Sequence, residues 1–221
     1  MYGMPQVDRL LGLAGGTARR WIDGYTRAGK PYPPVIREES TGAAIATWGE
    51  FVETRLLAEY RDAGVPLIRM RPAIGALRQQ LQTPYPLASA RTWLDVHGRE
   101  LVQKVQEDVG LDRHLALVVV RTGQQVLEWT PPAEDFRRSI EWTGDDPGAL
   151  PRSLRPVHRI EEVVIDPLRA FGEPVVRGVR TDVVGELFRA GDPPEMIAEL
   201  YDLPRETVDA AIRYELIRVA A

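Results

Sequence analysis

The sequence predicts an α+β chain: an N-terminal winged helix-turn-helix, a small antiparallel β-sheet in the middle and a C-terminal three-helix helix-turn-helix. Three observations predict it. Two short apolar-periodic stretches near the start are separated by Ala14-Gly15-Gly16, and Pro31, Pro33 and Pro34 then exclude a helix. A β-branched run, Val118-Val119-Val120, is followed by Thr122-Gly123 and a second apolar run. From Thr181 onward, three amphipathic stretches each carry start and stop signals.

Taken in order, Val7, Leu10 and Leu11 mark a first helix. Thr17 is the expected cap of a second, Ala18-Arg19-Arg20-Trp21-Ile22, with Trp21 and Ile22 turned inward. Residues 30–37 suit an extended, basic wing. Thr47 and Glu50 form a capping box that opens a helix through Phe51, Val52, Leu56 and Tyr60, with Gly64 as its terminator. A further helix carries Leu67, Met70, Ile74, Leu77 and Leu81, kinked or split by Pro72.

From Pro84 the texture changes. His97-Gly98 reads as a two-residue hairpin turn between residues 92–96 and 99–102, with glycine supplying a positive φ. Residues 101–109 stay open between strand, by turn chemistry, and helix, by charge pattern. Residues 114–120 and 124–129 read as strands. Residues 131–160, with five prolines and Gly144-Asp145-Asp146-Pro147-Gly148, read as a linker holding at most a short helix near residues 134–140. The expected organisation is therefore 1–82, 83–130, a linker at 131–160, and 161–221.

In the last unit Thr181 is the expected cap of a helix carrying Val183, Val184, Leu187 and Phe188 inward, with Gly191 its stop. Asp192 is read as the next cap with Pro193 at the first helical position, before a core set of Met196, Ile197, Leu200 and Tyr201. Pro204 starts the third helix, with Val208, Ala211, Ile212 and Leu216 as its apolar set.

Hydrophobic residues make up 44% of the 221 and charged residues 27%, a composition that suits a soluble fold. No apolar run approaches the roughly 18 residues of a membrane span, no signal peptide opens the chain, and a cytoplasmic location is the expectation. With no cysteine, disulfides, thiolate catalysis and Cys-ligated zinc are excluded. The net charge is −4 but unevenly spread. Residues 1–37 hold six Lys/Arg against two acids, whereas residues 161–221 hold seven Arg against thirteen acids. Nucleic acid therefore favours the first segment and repels the last on average.

Val164-Ile165-Asp166-Pro167, Phe171-Gly172-Glu173-Pro174-Val175-Val176, Gly178, Thr181-Asp182, Phe188-Arg189-Ala190-Gly191-Asp192, Ile197-Ala198 and Val208-Asp209-Ala210-Ala211-Ile212 together resemble the bacterial domain-of-unknown-function family 433, found in VapB-type antitoxins. The N-terminal Thr-Ala-Arg-Arg-Trp helix with its basic extended segment resembles the winged helix-turn-helix of MerR-type regulators, over roughly residues 4–80. These resemblances imply an antitoxin that binds a PIN-type ribonuclease toxin, binds operator DNA and represses its own operon, with a homodimer as the geometric expectation. Two other readings stay open: a MerR-like ligand-responsive regulator without a toxin, and a dimerisation module.

The expected DNA contacts are Thr17, Arg19, Arg20, Lys30 and Arg37 in the head, with Arg177, Arg180, Arg205, Thr207 and Arg213 as a supporting set. A helix N-terminus offers free N–H groups to phosphate, Thr17 adds a hydroxyl, and Arg19 and Arg20 can fork onto phosphate or guanine edges. Arg152, Arg155 and Arg159 are the candidates for plugging the acidic centre of a nuclease. His97, His114 and His158 are scattered without metal-ligand spacing, and Gly15-Gly16 lacks the Lys-Ser/Thr of a phosphate loop. No enzyme activity, metal or cofactor is expected.

Overall fold

The computed structural model describes residues 1–62, 67–95, 97–111, 116–121, 126–157 and 159–220. The expected terminator Gly64, the strand start at His114, the Thr122-Gly123 turn and His158 lie outside the described residues.

Strand β1 (Tyr2–Gly3) leads into α1 (Met4–Leu10) and α2 (Thr17–Ile22), then into the hairpin of β2 (Tyr25–Arg27) and β3 (Lys30–Tyr32). Strand β4 (Ile45–Ala46) returns to pair antiparallel with β1. Helix α3 (Trp48–Asp62) is the axle of the first core, burying Phe51, Val52, Leu56, Leu57 and Tyr60. Its capping box closes both ways: Glu50 N–H donates to Thr47 Oγ1 at 3.2 Å and Thr47 N–H to Glu50 Oε2 at 2.8 Å. A 3-10 turn, Leu67–Met70, abuts α4 (Arg71–Leu81), so Pro72 splits the apolar stretch by occupying the first turn of α4.

The expected hairpin at His97-Gly98 is wrong. Helix α5 (Ala90–Trp93) and helix α6 (Gly98–Asp108) flank that site, and residues 101–109 resolve as helix up to Asp108. Gly98 is needed for close approach: a Cβ there would lie 2.5 Å from the Thr92 carbonyl oxygen. Strands β5 (Val118–Arg121) and β6 (Val126–Trp129) form the middle hairpin. Gln106 clamps it to α6, its amide donating to Val118 O at 3.0 Å while its Oε1 accepts the Leu117 and Val118 N–H groups.

The stretch expected as a linker is structured. Helix α7 (Pro131–Ser139) and the hairpin of β7 (Ile140–Trp142) and β8 (Pro151–Leu154) put Ala133, Phe136, Ile140 and Leu154 into the same core as α3. The physical reason is apolar: the Trp93 ring packs tilted against Trp129 and Phe136, with centroids 4.7 and 5.0 Å away, and removing Phe136 would open that cluster. Prolines here open a helix and flank strand ends, and so do not mark a loose tether.

Beyond it, β9 (Val175–Val176) and β10 (Val179–Arg180) precede α8 (Thr181–Ala190), α9 (Pro194–Tyr201) and α10 (Arg205–Ala220). Their core, with Val163, Val176, Val184, Ile197, Val208 and Tyr214, forms a second cluster. Gly191 stops α8 in a left-handed conformation at φ 103°, as expected. The other caps shift. Thr181 is the first residue of α8, its buried hydroxyl 2.6 Å from Glu215 Oε1, and Pro193 rather than Asp192 caps α9. Phe188, Met196, Leu200 and Leu216, expected inside, are exposed because the small three-helix unit has only one buried face per helix.

The second unit sits on the back of α1. The Tyr214 hydroxyl donates to Leu10 O at 2.8 Å, and Glu173 accepts from Gln6 Nε2 at 2.9 Å and Arg9 Nη2 at 2.9 Å.

Candidate nucleic-acid interface

The head presents α2 and the β2–β3 wing outward. Ala18 and Ile22 on α2 are fully buried against α1 and α3, which leaves Arg19 and Arg20 in water on the opposite side. Trp21 is half-buried, with the Arg61 guanidinium 5.9 Å from its ring. The wing turns at Ala28-Gly29, both left-handed at φ 50° and 75°, the type I′ geometry of a two-residue hairpin. All six strand residues are exposed, including Arg27 and Lys30. Tyr25 and Tyr32 stack 4.6 Å apart at an interplanar angle of 3°, and Lys30 Nζ lies 5.8 Å from the Tyr32 ring centroid. The stack stiffens the wing and holds its cations out.

Two expected contacts are corrected here. The N-terminus of α2 is capped from within, which takes most of its amides from phosphate: the Asp8 carboxylate accepts Gly16 N–H at 2.7 Å and Ala18 N–H at 2.6 Å, and Thr17 N–H donates to Ala14 O at 3.1 Å. Thr17 is turned inward at 5% exposure, its hydroxyl accepting from Arg20 Nη2 at 2.9 Å. Burial pushes the Asp8 carboxyl up, against the lowering effect of these amide bonds and of Arg20.

Arg37 is a rivet inside the head. Its guanidinium reaches Glu50 Oε1 and Asp23 Oδ1, both at 2.7 Å, and Ile45 O at 2.9 Å. Burial alone would raise the Asp23 carboxyl, yet donation from Thr41 N–H, Arg37, the Thr41 hydroxyl and Ser40 brings it down to about 2. A guanidinium so occupied has no donors left for DNA. Arg27, which lies before the extended segment that the sequence marks from Lys30, is exposed on β2.

The supporting set thins in the same way. Thr207 is buried, Arg180 is paired with Asp182, and Arg205 is held between Asp209 at 3.0 Å and Glu195. Arg213 is exposed, and Arg177 stands at the left-handed tip of the β9–β10 turn with φ 47°. Of the arginines expected to plug a nuclease, Arg152 and Arg159 are exposed, Arg152 with Glu141 at 3.8 Å. Arg155 is structural: it donates to Arg138 O at 3.1 Å and Glu161 O at 3.2 Å, tying α7 to the second unit. His97 lies at the surface beside Glu100, with Nδ1 2.9 Å from Oε2.

The structure therefore exposes Arg19 and Arg20 on the helix and Arg27 and Lys30 on the wing of one small head. Such a face suits the backbone and groove contacts of a duplex, made by side chains alone.

Residues 1–74 match the family model described as "Putative DNA-binding HTH domain". Residues 163–214 match "Protein of unknown function (DUF433)". The chain is 39% identical over 233 residues to "Uncharacterized protein Rv2308" of Mycobacterium tuberculosis, covering 100% of this chain and 94% of that protein. It is 29% identical over 230 residues to "Putative antitoxin VapB45" of the same organism, covering 95% and 93%. Among solved structures, the X-ray crystal structure of Rv2018 from Mycobacterium tuberculosis superposes with a TM-score of 0.74 at 27% identity, over 96% of each chain.

Proposed function

The chain belongs to the same family as Rv2308 of Mycobacterium tuberculosis, and on that premise we propose that it is a DNA-binding antitoxin: a homodimer that reads operator DNA and represses its own operon. Arg19 and Arg20 on α2 enter the groove or grip its phosphates, while Arg27 and Lys30 on the wing hold the flanking backbone. The observation that carries this reading is the exposed cationic helix-and-wing face within the stretch similar to a DNA-binding helix-turn-helix. Arg177 and Arg213 are secondary contacts, weakened by the acidic unit around them.

The antitoxin half of the proposal rests on similarity along the whole chain to the protein named VapB45. The partner is a PIN-type ribonuclease toxin, and Arg152 and Arg159 supply the positive charge for its acidic centre. Fluorescence anisotropy on a duplex of the gene's own promoter, across a salt series, tests the first half. Saturable binding that weakens steeply with salt and exceeds binding to a scrambled duplex is expected. Equal, weak binding to both duplexes overturns it. Co-purification with the adjacent gene product tests the second half: a stable complex with suppressed ribonuclease activity is expected, and separate elution with undiminished activity overturns it.

A further inference from the structure

A cavity and a projecting apolar turn lie side by side on one face. The cavity, of about 560 Å³, opens between the start of α3, residues 83–89, the β7–β8 loop and residues 167–168. Trp48, Tyr85, Ala88 and Ala149 give it apolar walls. Those walls are fixed. The Tyr85 ring lies against Gly49, where a Cβ would come within 2.4 Å of it, and the Trp48 indole N–H donates to Pro151 O at 2.7 Å.

The turn at its rim holds Leu168 and Phe171 in water, 93% and 95% exposed. It is not slack. Leu168 N–H donates to Asp166 Oδ1 at 2.9 Å, Gly172 is pressed against Tyr2 so closely that a Cβ would meet its hydroxyl at 2.5 Å, and Glu173 is bound to Gln6 and Arg9. Between these anchors Ala170 and Phe171 adopt left-handed φ values of 47° and 56°, unfavourable for any residue with a Cβ. A firmly based turn thus keeps two large apolar side chains out of its own core.

We propose that this face joins two copies of the chain, the Leu168–Phe171 turn of each seated in the Trp48–Tyr85 cavity of the other. Leu168 belongs to both the rim and the projection, so a two-fold axis beside it exchanges projection and cavity reciprocally and closes the assembly at two. The rim segments carry both signs of charge, with Asp145, Asp146, Arg152 and Arg169 all exposed and the two arginines paired within the chain, to Glu141 at 3.8 Å and Asp166 at 3.4 Å, so two copies meeting here do not set one sign of charge against itself. The proposal rests on the dimeric reading above and names its surface.

Light scattering on the full chain during gel filtration, from roughly one to a hundred micromolar, tests it without DNA or toxin. The wild type is expected at twice the chain mass of 24.8 kDa. Phe171→Glu, and separately Leu150→Glu on the cavity side, are expected to raise the dimer dissociation constant at least about a hundredfold while leaving the circular dichroism spectrum unchanged, with any fall in melting temperature confined to concentrations at which the wild type is dimeric. Both positions are exposed, and Phe171→Leu is expected to keep the dimer, so loss of folding cannot stand in for loss of contact. A wild type that is dimeric together with both Glu variants overturns this surface and leaves the dimeric reading intact. A monomeric wild type throughout the range overturns both and leaves the cavity to another occupant.

Discussion

Asp23 and Arg37 decide at the scale of single residues whether the head keeps its shape. The Asp23 side chain is 2% exposed and its carboxyl is lowered from an ordinary 3.8 to about 2. Its folded pKa lies below its unfolded one, so its stabilisation is fully present above about pH 4 and is lost as pH falls towards 2. That linkage is worth up to about 2 kcal/mol. Acid titration of the wild type should show the loss, and Asp23→Asn should remove most of it; an unchanged acid slope in the variant would contradict the assignment. Glu53 behaves oppositely. Fully buried, it is pushed up to about 8 by desolvation, against an amide bond from Leu87 and the charge of Arg78. The folded state holds its proton more tightly, so this contribution is greatest below pH 4.5 and falls away as pH rises to 8. Glu53→Gln keeps an acceptor for Leu87 and should be more stable than wild type at pH 8 by at least about 1 kcal/mol, measured by urea unfolding.

Among the elements, α2 and the wing carry the prediction about DNA. Arg19→Ala with Arg20→Ala should weaken promoter binding at least about tenfold and reduce the slope of log affinity against log salt by about 2. Arg27→Ala with Lys30→Ala should flatten the slope similarly while leaving sequence preference intact, since the wing grips backbone. A double variant of α2 that binds as tightly as wild type would move the contact elsewhere.

What was legible in the sequence at this scale follows from locality. The Thr47–Glu50 capping box, the Gly191 stop and the break at Pro72 are signals contained within one turn, and each is seen. Asp8 capping α2 from ten residues away, and Arg37 turning into the head instead of outward, depend on tertiary packing that no window contains. Gly98 misled because glycine serves both positive φ and close approach, and only the Thr92 carbonyl beside it separates the two. The prolines of residues 131–160 misled in the same way, since Pro131 opens a helix whose Phe136 fills the main core. At the candidate interface the charge count singles out the N-terminal segment, whereas the inward turn of Thr17 and Arg37 depends on partners that are distant in sequence or set by packing.

For the whole molecule, the two hydrophobic clusters are joined through α1, the first helix of the head. Tyr214→Phe removes the buried donor to the Leu10 carbonyl and should lower stability by about 1 kcal/mol, visible as a lower melting temperature with an unchanged far-ultraviolet spectrum. Combining it with Glu173→Ala should cost less than the sum of the two if both act through one docked contact.

That docking makes the chain a ruler. With the acidic unit bonded to the back of α1, the exposed cations of the head have a set position relative to that unit. Two such bodies paired on one axis would favour one separation of half-sites along a duplex, because the bonds from Gln6, Arg9 and Leu10 to Glu173 and Tyr214 hold each acidic unit to its own head. Inserting about five base pairs, half a helical turn, between the half-sites would then turn one head to the wrong side of the DNA. Restoring a full turn would bring the heads back into phase but not into reach.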